Sequence, residues 1–190
     1  MMLDAQTLDR AAGYAASAAM VSLLLAGITI ALFFGGAGGG FGPANDLFTA
    51  MTLLLLALPV IAIRAIVGDT AGPLFGVISL LALAGLAVGA VGQVLLVVGV
   101  IDLESSFVTG GLGILPVLVW AVALAIVSLR TEALPDLLGW ATVAALLMAA
   151  VTTVVASALS GPVVLVVSGT LFLALEAWLG AMAWTLMGRG

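Results

Sequence analysis

The 190-residue chain contains no cysteine, no histidine and no lysine. Without cysteine it has neither disulfides nor thiol chemistry, and without cysteine and histidine it lacks the usual protein ligands of zinc and haem. Without lysine it can form no Schiff base with a carbonyl compound. Because the commonest catalytic groups are missing, we expect a protein that is not an enzyme and that holds no metal and no cofactor.

Charge is scarce as well. Only 7% of the residues are charged and 65% are hydrophobic, whereas soluble domains carry about 25% charged residues. The net charge of −5 provides no basic surface for nucleic acid. Such a chain cannot cover a water-facing surface, so we expect its principal partner to be the lipid bilayer.

Long apolar runs make up most of the chain. A membrane-spanning helix needs about 20 apolar residues, and the strands of membrane barrels are only about ten residues long with alternating polarity. We therefore predict an all-α integral membrane protein, a single transmembrane domain over residues 1–190 with a six-helix bundle. The predicted spans are about 11–34, 47–67, 73–101, 113–129, 136–159 and 163–187.

The arginines favour six spans and give an orientation. With six spans, all four basic residues fall on one side of the membrane, namely Arg10, Arg64, Arg130 and Arg189. Basic residues are enriched in cytoplasmic loops. We predict that both termini are cytoplasmic and that the protein is a multi-pass protein of a bacterial or archaeal cytoplasmic (inner) membrane.

Small residues mark two faces for helix packing. Ala15, Ala18 and Ser22 form a stripe on the first helix, and Gly85 and Gly89 form a GxxxG pair on the third. Small side chains let helix backbones approach closely in lipid. We predict that these five residues pack helices of the same chain, with homo-oligomer formation as the alternative.

Glu176 is the one ionisable residue far from either end of an apolar run. It lies about 20 Å into the sixth run at 1.5 Å per residue, near the middle of a hydrocarbon core about 30 Å thick. An ionisable group at that depth is a functional-site hypothesis by default. Because an apolar environment disfavours charge, we expect a protonated, neutral carboxyl at rest unless a cation or several donors lie beside it.

Three residues are the expected companions of Glu176. Gln93 is the one amide within the predicted spans, and we predict that it forms a hydrogen bond with Glu176. Trp120 and Trp178 lie near the middle of their helices, and indole faces beside a carboxylate can hold an organic cation. Two interpretations follow: a hydrogen bond that joins helices, or a proton or cation site made of Glu176, Gln93, Trp120 and Trp178.

A short motif resembles a known class of protein. After Arg130, the segment Leu134-Pro135-Asp136-Leu137-Leu138-Gly139-Trp140 resembles the Leu-Pro-x-x-Leu-Gly-Trp helix start of uncharacterised small polytopic membrane proteins of bacteria. The resemblance covers the fourth to sixth helices at most, and Asp136 stands where a basic residue is usual. It implies an architecture and no catalytic residues.

These observations favour a non-catalytic membrane protein. We expect a structural or accessory subunit that packs against a larger membrane complex and meets its partners within the bilayer. The alternative is a small proton-coupled carrier or channel that uses the mid-membrane carboxyl of Glu176.

Overall fold

The computed structural model describes residues 4–36, 38–159 and 162–189, apart from the side chains at positions 69, 162 and 165. These residues form α-helices and one short 3₁₀ turn, and they contain no strand. The helices are α1 (Ala5–Phe34), α2 (Phe41–Val67), α3 (Gly72–Val97), α4 (Leu103–Arg130), α5 (Asp136–Ala158) and α6 (Pro162–Met187). The turn, Gly68–Ala71, joins α2 to α3.

Each of the six helices is long and apolar enough to cross a membrane. For the part of the chain that the structure describes, the all-α prediction and the number of helices are therefore confirmed. The largest difference in bounds is at α4, which begins at Leu103, ten residues before the predicted start at residue 113. The carboxylate of Asp102 accepts the backbone N–H of Ser105 at 2.8 Å and caps the helix there, because the first amides of a helix lack partners within it.

The helices form a closed ring in chain order. Each packs against the next one along the chain, and α6 returns to pack against α1, while α2 also approaches α6 across the ring. Short connections make neighbouring helices antiparallel. The centre is filled by large side chains with at most 1% exposure, which include Trp120, Ile63, Leu86 and Leu179.

Antiparallel packing gives the bundle two chemically different ends. The first, here called the arginine end, contains Arg10, Arg64, Arg130 and Arg189. There the Nη1 atom of Arg189 donates to the carbonyl oxygen of Ala133 at 3.1 Å, which ties the chain after α6 to the α4–α5 connection. The second, here called the acidic end, contains Asp46, Asp102 and Glu104.

The side of the ring is apolar. Many of its leucine and valine side chains are strongly exposed, for example Leu74 at 69%, Val166 at 69% and Leu173 at 67%. So continuous an apolar surface is unfavourable in water. The backbone N–H and C=O groups form hydrogen bonds within each helix, as a lipid environment requires. The described chain is therefore suited to a multi-pass membrane protein.

The predicted packing faces differ in outcome. Ala15 and Ser22 are buried, and the Ser22 hydroxyl donates to the carbonyl oxygen of Phe48 in α2 at 2.8 Å. Ala18 is exposed, so its predicted place on the packed face is wrong for contacts within the chain. The packed face advances by 3.6 residues per turn and passes through Ala19 instead.

Gly85 and Gly89 lie where α3 crosses α4. Both face Gly113 of α4. A methyl group placed on Gly113 would lie 2.9 Å from the carbonyl oxygen of Gly85 and 2.9 Å from the amide nitrogen of Gly89. The two helices thus meet backbone to backbone, an approach that only residues without a side chain permit.

Helices α5 and α6 are packed unevenly. The buried residues of α5 are Leu138, Gly139, Thr142 and Ala145, all in its first half. Those described as buried in α6 lie between Trp178 and Leu186, toward its end. Both helices are therefore well packed near the arginine end and open toward the acidic end.

Candidate functional site

Glu176 lies at the seam between α1 and α6. On the same side of α6, Phe172 and Gly180 bracket it one turn away in each direction. The Phe172 ring packs on Gly27, where an added methyl group would lie 2.6 Å from its Cε2 atom. A methyl group added to Gly180 would lie 3.9 Å from the sulfur of Met20. Glu176 therefore sits between two contacts that join α6 to α1.

The carboxyl group of Glu176 has no hydrogen-bond partner on its covered side. Its Oε1 atom is buried and unpartnered, while the residue as a whole is half-buried. The pairing of Met20 with Gly180 and of Gly27 with Phe172 places Leu23 and Leu24 of α1 at its level, and neither can donate. One side of this carboxyl is thus covered and the other is open. Within the described residues, no hydrogen-bond donor compensates for the burial of its covered oxygen.

The predicted hydrogen bond between Glu176 and Gln93 is wrong: the described residues show none between them. Gln93 lies near the acidic end of α3, about 31 Å from the first residue of that helix, whereas Glu176 lies about 16 Å from Met187 at the arginine end of α6. The two side chains differ by about 15 Å in depth. Moreover, α3 packs mainly against α2 and α4, and α6 against α1 and α5.

Trp178 has a structural contact of its own. Its indole Nε1 donates to the hydroxyl of Thr142 at 3.0 Å, and that hydroxyl donates to the carbonyl oxygen of Leu138 at 2.6 Å. This chain of hydrogen bonds joins α6 to α5. Trp178 also borders an apolar cavity of about 80 Å³ between α4, α5 and α6, together with Leu175 and Ala121.

Trp120 is enclosed at the centre of the ring. It has 0% exposure, and its indole N–H is buried without a partner. It lies about 15 Å from the end of α4, level with Glu176, but α4 packs mainly against α3 and α5. A cation site needs ring faces open to a ligand, whereas Trp120 has 0% exposure and Trp178 only 7%. The structure does not gather the four predicted residues into one site.

Sequence reasoning missed a groove whose lining reaches Phe172, one helical turn from Glu176. It runs along the α1–α6 seam in the half of the bundle nearer the acidic end and has a volume of about 840 Å³. Its lining is mostly apolar and includes Gly27 and Ala31 from α1 and Ser168, Gly169 and Phe172 from α6. The small residues four apart on α1 were the available signal.

A second depression lies at the arginine end between α2 and α3. Its volume is about 540 Å³, and its lining includes Arg64, Phe75 and three glycines. The guanidinium of Arg64 lies against Gly76, 3.7 Å from the position of an added methyl group. Arg64 is the charged residue among the described side chains of this lining, and its side chain is exposed.

Among the described residues, no group of three acidic, histidine or cysteine side chains could hold a metal ion. Comparisons with protein-family models, with curated proteins and with solved structures give no match. The features that bear on function are therefore the unpartnered carboxyl of Glu176 and the groove one helical turn from it.

Proposed function

We propose that this chain is a non-catalytic subunit, structural or accessory, that packs against a larger membrane complex. The observation that carries the proposal is the α1–α6 seam, where the uncompensated carboxyl of Glu176 lies one helical turn beyond Phe172, a lining residue of a mostly apolar groove on the side of the ring. Ionisable groups within membranes pair with one another or with polar groups. Because the described residues provide no such partner for this acid, we expect another protein to provide it.

The interior of the ring supports a static role over transport. Apart from the indole N–H of Trp120, its centre is apolar and closed, with Trp120, Leu124 and Leu179 at most 1% exposed. Buried hydroxyls such as those of Ser79 and Thr185 donate to carbonyl oxygens of their own helices. A carrier needs polar groups that face a path, whereas these hydroxyls are already engaged.

The arginine end supports a cytoplasmic location for both termini, by the preference of basic residues for that side. The cysteine-free chain makes the orientation easy to measure. A single cysteine replacing Glu132 at the arginine end should resist a membrane-impermeant maleimide in intact cells, and one replacing Glu104 at the acidic end should react. The reverse pattern would place the termini outside and overturn this part of the proposal.

The subunit role is tested at native expression level. The tagged chain, extracted from its membrane in a mild detergent, is expected to migrate on a native gel as a complex larger than itself. Deletion of the chain is expected to lower the abundance of the other members of that complex. A monomer on the gel, with an unchanged set of membrane proteins after deletion, would refute the role.

The alternative role as a proton-coupled carrier or channel is tested in liposomes. With a pH gradient imposed, we expect the same proton leak from liposomes containing the wild-type chain and from those containing Glu176→Gln. The amide keeps the size of the side chain and removes its titration. A proton leak that is present with the wild type and lost in Glu176→Gln would refute the accessory proposal.

A further inference from the structure

Resting on the proposed accessory role, we infer that the α1–α6 groove receives one transmembrane helix of another protein. We further infer that this helix carries a lysine or arginine at the depth of Glu176. The groove supplies the packing surface, and the carboxyl group supplies the position of the basic residue.

The groove and the carboxyl lie on one continuous line. Gly169, Phe172 and Glu176 follow one another at positions i, i+3 and i+7 of α6 and therefore share a side of the helix. Gly169 and Phe172 line the groove, and Phe172 closes its inner end against Gly27. A helix that enters from the acidic end passes over Phe172 and reaches Glu176 one turn further.

The lining suits a helix better than a lipid tail. A methyl group added to Gly169 would have nothing within 4 Å, and Ala31 is exposed, so both backbones are open to close approach there. In lipid such approach is what stabilises helix pairs. An acyl chain would fill the same volume, but it has no donor for the Glu176 carboxyl. The partner helix satisfies both features at once.

The basic residue has to come from a different protein. This chain has no lysine, and its four arginines all lie at the arginine end. A second copy of the chain therefore has no positive charge to place at mid-depth. Two of its amides lie within helices far from the arginine end. Asn45 is in the first turns of α2 at the acidic end, and Gln93 lies about 15 Å nearer the acidic end than Glu176.

The absence of cysteine permits a direct binding measurement. A single cysteine replacing Glu132, which lies outside the groove, carries a fluorescence donor on the chain in nanodiscs. The probes are two synthetic acceptor-labelled transmembrane peptides of leucine and alanine, identical except for a central lysine or a central leucine. We expect the lysine peptide to associate about tenfold more tightly than the leucine peptide, or better.

Three variants locate the binding. Glu176→Gln should remove the difference between the two peptides. Ala31→Trp should fill the groove and weaken the binding of both. Ala18→Trp is the matched control, because Ala18 is exposed and lies outside the groove lining, and it should leave both affinities unchanged. Circular dichroism and size-exclusion profiles confirm that each variant remains folded.

Several outcomes would overturn the inference. Equal binding of the two peptides would refute the inference that the partner helix carries a basic residue. Unchanged binding in Ala31→Trp would show that the groove is not the binding site. A phospholipid that stays bound in native mass spectrometry while the lysine peptide is in excess would show the same. If the native complex persists in Ala31→Trp, the accessory role stands and the groove does not. If no native complex forms at all, the accessory role itself fails.

Discussion

The crossing of α3 and α4 at Gly85 leaves no room for a side chain. A methyl group placed on Gly85 would overlap the carbonyl oxygen of Gly113 and lie 3.2 Å from Cβ of Pro116. The obstacle is backbone, which cannot rotate away as a flexible side chain does. Gly85→Ala should therefore force the two helices apart along this crossing.

The expected magnitude is the difference between two terms. Overpacking a well-packed site costs typically about 1–3 kcal/mol, and replacing glycine by alanine inside a helix gains up to about 1 kcal/mol. A backbone obstacle favours the upper part of the first range, so we expect Gly85→Ala to lower the free energy of unfolding by about 1–2 kcal/mol. Gly111→Ala on α4 is the matched control, because nothing lies within 4 Å of its added methyl group.

The assay is reversible unfolding in mixed micelles with increasing SDS, followed by tryptophan fluorescence and helical circular dichroism. Gly111→Ala should be neutral or slightly stabilised. The double variant Gly85→Ala/Gly113→Ala should lose less than the sum of the single losses, because the first methyl group already separates the helices. If Gly85→Ala unfolds like Gly111→Ala, or the two losses are additive, the close backbone contact is refuted.

Three further predictions use the same preparation. Trp178→Phe removes the hydrogen bond to Thr142 and should cost about 0.6–1.7 kcal/mol in the SDS assay; no loss would mean that the bond does not hold α5 to α6. Gly139→Ala should destabilise less than Gly85→Ala, since its methyl group would meet side chains at the end of α4 and not backbone; an equal loss would contradict this. The backbone N–H of Ser105 lowers the pKa of Asp102 from its ordinary value of 3.8. The cap should therefore be intact above that value and be lost as the pH falls through the lower pKa of the folded state. The Ser105 amide resonance should report this transition, and Asp102→Asn should abolish it; an amide shift that does not change with pH would refute the cap.

Hydropathy was sufficient for the helices because it is a local property. Each run of about 20 apolar residues predicts its own span without reference to the others, and all six are present as helices. The start of α4 was missed because Asp102 caps a polar first turn, and a cap is a single hydrogen bond that apolar runs do not reveal. Likewise, the predicted stripe on α1 included Ala18, which is exposed, because a small error in the rotation of a helix about its axis is enough to exchange neighbouring residues between the packed and exposed faces.

The sequence by itself determined an all-α chain with six long apolar helices, and it located Glu176 deep within the last of them. Only the tertiary structure decided what lies beside that residue. The depth of a residue along its own helix follows from counting, whereas its neighbours depend on the order of helices around the ring and on the rotation of each helix. For this reason Gln93 is remote from Glu176, Trp178 bonds to Thr142, and a groove lies where no motif predicted one.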